Sequence, residues 1–319
     1  MYDRIILHLG TPKTGTTGLQ QYLSQNSEDL ASKGAHYLKS FRRGPSHNYL
    51  MRLLRKGGKK LFIRNKLNAE IMAGEGGAAI LSTETAYGVF GTTHVLKSLE
   101  PEVRERVEIL CYARRQDLFL EAMAKQKAKN ALFQGELSSY CFDEKQRRKA
   151  SYLSFADKIG NRFPEVSIQF RAFDRTQLKD GDVVQDFCAF AGLAPEDRPE
   201  NPFSGSNRTP SLQVVEALRD HDFQGNVHRR NTLREIMKQD NKDFFRSRDV
   251  LPPEARERII ALYAGENDEL FERYGDKGRA RFTAFDASRD DNYIGDEADR
   301  TASRTLAREM VETVAEGCG

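Results

Sequence analysis

Residues 4–25 read RIILHLGTPKTGTTGLQQYLSQ, and this stretch narrows the fold more than any other part of the chain. Residues 4–9 are an apolar run of strand length. A loop bounded by Gly10 and Gly15 follows. From Thr16 the spacing changes, with Leu19, Tyr22 and Leu23 at i, i+3 and i+4 of one helical face. Strand, glycine loop and helix in direct succession are the opening of a parallel crossover.

The same alternation continues. Strands are expected at 34–38, 78–82, 107–113 and 166–170, and helices at 48–54, 117–129 and 183–191. In 117–129, Leu118, Ala122 and Lys125 mark the turns; in 183–191, Phe187 and Phe190 are core positions. The pattern predicts an α/β fold with a central, mostly parallel sheet, helices on both faces, and ligand binding at the carboxyl ends of the strands. From about residue 279 the periodicity weakens into an acidic, turn-rich segment and a short helix at 301–315. That predicts a domain 1–278 and an appendage 279–319, within a chain of 319 residues that is long enough to bury a proper core.

The loop invites comparison with a Walker phosphate loop, G-x-x-x-x-G-K-[ST], where lysine directly follows the second glycine. Here the glycine spacing is kept, but the lysine is Lys13, inside the loop, and Thr16 stands in its place. Glycines let backbone N–H groups approach an anion. The helix start adds open N–H groups and a positive dipole end. Thr16 and Thr17 add hydroxyls, and Lys13 adds a mobile cation. Such a loop suits a phosphate or sulfate. It lacks the order that places Mg²⁺ and the terminal phosphates of a nucleoside triphosphate, and no apolar strand ends in an aspartate of Walker B type. A bare G-x-x-x-x-G would be a tight turn before a helix. Pro12-Lys13, the paired threonines and the preceding strand argue against that.

The string from Pro12 to Thr17 resembles the 5′-phosphosulfate loop of sulfotransferases that use 3′-phosphoadenosine 5′-phosphosulfate (PAPS). The wider string HLGTPKTGTTGLQQYL is similar to the bacterial branch that includes carbohydrate sulfotransferases. The likeness runs through much of residues 1–275 and is strongest at the loop. It implies a P-loop-NTPase-like sulfotransferase fold and PAPS as donor. It also implies that Thr11, Pro12, Lys13, Thr14, Gly15, Thr16 and Thr17 bind the donor. A second anion site is implied for the 3′-phosphate, built in the family from an arginine after a central strand and a helix serine eight residues on. Arg114 after VEILCYA matches; position 122 is an alanine and does not. Residues 203–219, FSGSNRTPSLQVVEALR, are similar to an asparagine-serine stretch of bacterial members, which offers Asn207, Arg208 and Ser211 to the 3′ side. A helix start capped by Thr209, with Pro210 in its first turn, accounts for the same residues equally well. Residues 259–275 resemble the family's closing helix.

Sulfuryl transfer is an in-line displacement at sulfur by an acceptor hydroxyl. It calls for positioning, a cation at the leaving oxygen and a base for the hydroxyl proton, and it demands no metal. Lys13 suits the cation's role. For the base there are two candidates, Glu84 just after strand 78–82 and His47 in GPSHNYL, and family members use either residue type. His8, inside the first strand, reads as buried and structural. The basic stretch 42–66 flanks the acceptor side, so the expected partner is a hydroxyl-bearing acceptor, with an anionic glycan suited to that charge. The alternatives are a P-loop nucleotide kinase or other NTPase, and a catalytically silent nucleotide-binding protein of the same fold, which Ala122 favours.

Composition enters as a set of limits. Fifty basic against 47 acidic residues, a net charge of +3, provide no bulk field for nucleic acid. No apolar run approaches a membrane span, and residues 1–9 carry no signal-peptide pattern, so a cytoplasmic protein is expected. Cys111, Cys141, Cys188 and Cys318 show no C-x-x-C pairing, which speaks against a metal site or a disulfide framework.

Overall fold

The computed structural model describes residues 1–194, 209–276, 281–289 and 293–318. Five strands, β1 (Arg4–His8), β2 (Ala35–Tyr37), β3 (Ala78–Ser82), β4 (Val107–Ala113) and β5 (Ser167–Ala172), form one parallel sheet in the order β2-β3-β1-β4-β5. β1 pairs with β3 from Arg4↔Ala78 to His8↔Ser82, and with β4 from Ile5↔Val107 to His8↔Leu110. Successive residues of a strand face opposite sides, and both sides here are apolar. Ile5, Leu7, Ala79, Leu81 and Ile109 enter one core, while Ile6, Ile80, Leu110 and Tyr112 enter the other.

Helices Asn48–Lys56, Lys60–Met72, Val89–Leu96, Tyr152–Arg162 and Ala264–Tyr274 cover the first face. Helices Thr16–Gln25, Ser27–Ser32 and Val183–Phe190 cover the second. The expected α/β sheet with helices on both faces is present. The chain leaves β1 toward β2 and β3 on one side, and leaves β4 toward β5 on the other. Their connections therefore diverge at the carboxyl ends of β1 and β4, where an open α/β sheet forms its crevice.

The chain divides into two compact units. The sheet belongs to Met1–Arg115, Ser151–Ser204 and Ala264–Thr283; the second unit is Gln116–Ala150, Gly205–Tyr263 and Ala284–Gly319, and is helical among its described residues. In the second unit, helix Gln116–Lys129 buries Asp117, Glu121 and Lys125 as well as apolar residues. Arg256, with no exposure, reaches Asp117 and Glu121 at 2.8 Å each, and Lys125 pairs with Asp249. Charges can be held inside at such a place only because each has its counter-ion. Helix Glu297–Glu316 is longer than the 301–315 expected; its Ala307 and Val311 pack with Val214 and Leu218 of helix Leu212–Asp220. Residues 259–275 are not one closing helix but parts of two, Pro253–Leu262 and Ala264–Tyr274, broken at Tyr263. No helix of the described residues is long and apolar enough to cross a membrane.

Candidate functional site

The loop from Gly10 to Gly15 leaves β1 at the crevice. Gly10 is required by a close approach, since a Cβ there would stand 2.1 Å from Thr16 Oγ1. Lys13 and Gly15 have φ of 72° and 70°. Left-handed residues of this kind build the backbone concavities that bind anions. For Gly15 the conformation is easy, but for Lys13 it costs about 1 kcal/mol. Backbone strain of this sort clusters at functional sites.

The four threonines of the loop and helix start divide by role. Thr11 Oγ1 donates to the Tyr112 carbonyl at 2.6 Å, and Thr14 Oγ1 donates to the Thr11 carbonyl at 2.7 Å; both residues are buried. These two hydroxyl protons hold the loop to β4 and to itself. Gly15 caps helix Thr16–Gln25 with no side-chain acceptor, and no acidic residue sits in the first turn. The helix start thus keeps its positive end uncompensated. Thr16 Oγ1 is buried there without a hydrogen-bond partner among the described residues. Thr17 is exposed, and Pro12 is half-buried.

Arg114 arrives from the end of β4. Its Nη1 donates to the Lys13 carbonyl at 3.2 Å, and its own carbonyl accepts the Tyr152 hydroxyl proton at 2.6 Å. The guanidinium thus lies against the loop, and the Tyr152 hydroxyl fixes the backbone from which it extends. Arg115 turns away, its Nη1 donating to the Thr283 carbonyl at 2.8 Å.

Glu84 comes from the end of β3. Burial raises its pKa above the ordinary carboxylate value; the nearby Lys13 ammonium and a hydrogen bond with Asn48 pull the other way without cancelling it. Asn48 Oδ1 accepts from Thr83 Oγ1 at 3.1 Å and from the Thr85 N–H at 3.3 Å. Its amide donors are left for the carboxylate. Sequence reasoning passed over Asn48, although it sits directly after His47 at a helix start, where an amide is well placed to bond neighbouring loops.

His47 does different work. It is fully buried; the Ser82 N–H donates to its Nδ1 at 3.2 Å, and its Nε2–H donates to the Leu38 carbonyl at 2.9 Å. Burial lowers its pKa to about 4. Both ring nitrogens are engaged by backbone, so the neutral ring is a strut between residue 38 and β3, with no lone pair left for an acceptor proton. Of the two base candidates, the structure brings Glu84 to Lys13 and withholds His47. His8 is also fully buried, its Nδ1 2.8 Å from Ser82 Oγ, which also accepts from Gln20 Nε2 at 3.1 Å. Burial lowers His8 to about 3, in keeping with a structural residue.

Asn207 and Arg208 lie outside the described residues. Ser211, in the second unit, caps helix Leu212–Asp220, its Oγ accepting the Val214 N–H at 3.4 Å. The cap is thus Ser211, not Thr209. Ala122 is buried within helix Gln116–Lys129 of the same unit. In the basic stretch, the guanidinium groups of Arg43 and Arg52 lie over the Tyr49 ring at 3.7 and 4.8 Å, and Arg64 pairs with Glu100.

No protein-family profile matches the chain. An uncharacterized protein of Archaeoglobus fulgidus is 25% identical over 175 residues, 52% of this chain and 45% of that protein, so the match spans less than half the length of the relative. A solved sulfotransferase from Alicyclobacillus acidocaldarius is similar over 84% of this chain and 94% of its own, with 14% identity and a TM-score of 0.47.

Proposed function

We propose that this chain is a sulfotransferase that moves a sulfuryl group from PAPS to a hydroxyl of a carbohydrate or related acceptor. The observation that carries the reading is the convergence at one crevice of a glycine loop, Lys13, Arg114 and an unpartnered, buried Thr16 hydroxyl. The loop fits an anionic sulfate or phosphate ester: Lys13 and Gly15 take left-handed backbone of the kind that builds anion-binding concavities, and Thr16 offers a donor that no described residue takes. The resemblance of Pro12–Thr17 to a phosphosulfate loop names the anion.

In this reading the donor supplies the sulfuryl group. Backbone N–H groups of the loop and the first turn of helix Thr16–Gln25 hold its phosphosulfate end. Lys13 balances the charge that grows on the bridging oxygen. Arg114, whose fork matches phosphate oxygens, takes the 3′-phosphate. Asn207, Arg208 and Ser211 are retained as further 3′-side candidates on resemblance alone, and Thr11 and Thr14 contribute by shaping the loop. Glu84 accepts the acceptor's hydroxyl proton as oxygen attacks sulfur; its raised pKa makes it a stronger base than an ordinary carboxylate. His47 keeps β3 and the following turn in place.

The deciding measurement is calorimetric titration with adenosine 3′,5′-bisphosphate, without metal. Micromolar binding is expected, weakened about 10- to 100-fold by Lys13→Ala and by Arg114→Ala, the loss for one charged hydrogen bond. Absence of binding, with Mg·ATP bound instead, would return the loop to the nucleotide kinases. Binding with no turnover on any hydroxyl acceptor would mark a silent relative, the outcome that Ala122 favours.

A further inference from the structure

The sheet unit carries a second pocket, of about 810 Å³, that shares no residue with the loop, Arg114 or Glu84. It lies among helices Asn48–Lys56, Lys60–Met72 and Val89–Leu96. Its floor is apolar, from Leu54 and Val89, and Leu61 and Phe90 line its mouth. Leu61 and Phe90 are 71% and 60% exposed, which is unusual for side chains of this size at the mouth of a concavity. Its rim is cationic. Lys60, Lys97 and Arg162 line it, none has an ion pair among the described residues, and no lining residue is acidic. Arg64 also lines it but is committed to Glu100. Thr93, 5% exposed, is among the lining residues.

Each feature sets one requirement on an occupant. The volume falls in the range of small-molecule sites. The apolar floor asks for a hydrocarbon body. Three cations without an ion pair ask for an anionic head. A polar metabolite fails the first of these demands, and a neutral or cationic lipid fails the second. We infer that this pocket binds a free, single-chain amphiphile with an anionic head, such as a fatty carboxylate or a sulfate ester of similar length.

Sodium dodecanoate, kept below its critical micelle concentration, serves as the probe in calorimetry on the full chain, beside dodecyltrimethylammonium and acetate. Saturable one-to-one binding of dodecanoate is expected, at least tenfold weaker for the cationic amphiphile and undetectable for acetate. Removing two methylenes, as in decanoate, is expected to weaken binding roughly tenfold. The Lys60→Glu/Lys97→Glu double variant changes two exposed side chains, keeps the wild-type circular dichroism and melting point, and binds at least tenfold more weakly. Failure of the wild type to bind dodecanoate, equal binding of the two amphiphile charges, or unchanged binding in the double variant overturns the inference. So does co-sedimentation with phosphatidylglycerol vesicles in the absence of dodecanoate binding, which would make this face a membrane surface rather than a pocket for a free amphiphile.

Discussion

Glu84 combines two properties that pull against each other. Burial makes its carboxyl harder to ionise, and the Lys13 ammonium makes it easier. Glu84→Gln is expected to lower kcat by about 10²- to 10⁴-fold, the usual worth of a positioned base, read as release of adenosine 3′,5′-bisphosphate at saturating acceptor. The same change is expected to raise the melting temperature at pH 7. The sign follows from proton binding: a carboxyl whose folded pKa is raised binds protons more tightly in the native state, so stability falls as pH rises from about 4.3 through the folded value. That deficit is absent well below pH 4 and complete once the pH is above the folded value. A variant that melts lower at pH 7 would mean that the ionised carboxylate is a structural partner rather than a strained base. Lys13→Ala removes the opposing charge, so any residual activity should show its acid limb at higher pH than wild type.

The turn from β1 into its helix is a single mechanical piece, because Gly10 and Thr16 occupy nearly the same space. Gly10→Ala is expected to displace the loop and destabilise the chain. Gly10→Ala/Thr16→Ala removes the hydroxyl and methyl that the new Cβ meets, and should recover part of the loss. A coupling of about 1–3 kcal/mol by denaturant unfolding would be typical of residues in contact; strict additivity would place the strain elsewhere. This piece was legible in sequence because its signals are local. The apolar period changes from strand to helix between Leu9 and Leu19, and glycines mark the turn. The strands were legible for the same reason, being short apolar runs. Helix Lys60–Met72 escaped notice because it begins in a KGGKK run that reads as loop, and its buried Ile63, Leu67 and Ile71 acquire meaning only against the sheet. The choice between Glu84 and His47 was invisible too. Spacing cannot tell that the Ser82 N–H and the Leu38 carbonyl, remote in sequence from one another, converge on the two nitrogens of one imidazole. Asn48 was missed because its value lies in touching Thr83, Thr85 and Glu84, a turn more than thirty residues away.

For the chain as a whole, two fully buried histidines set a limit on acid stability. His8 and His47 are neutral when folded, with pKa values of about 3 and about 4. In the unfolded chain they protonate near pH 6.5. Their contribution is therefore fully present above pH 6.5 and is lost as pH falls toward those folded values, at up to about 1.4 kcal/mol per pH unit for each. Urea midpoints should fall from pH 7 to pH 5, and His47→Gln should flatten that decline; an equal decline in His47→Gln would show that this ring is not held neutral. The interleaving of the two units has its own consequence, in the order in which the chain is made. Four of the five strands precede residue 116, yet β5 follows the first segment of the helical unit, and helix Ala264–Tyr274, which supplies Leu270 to one sheet face, follows the second. A nascent chain leaving the ribosome therefore cannot finish the sheet unit before most of the helical unit has been synthesised. The part of the sheet face that Leu270 covers stays open until then, an apolar patch exposed to aggregation while the chain is still being made.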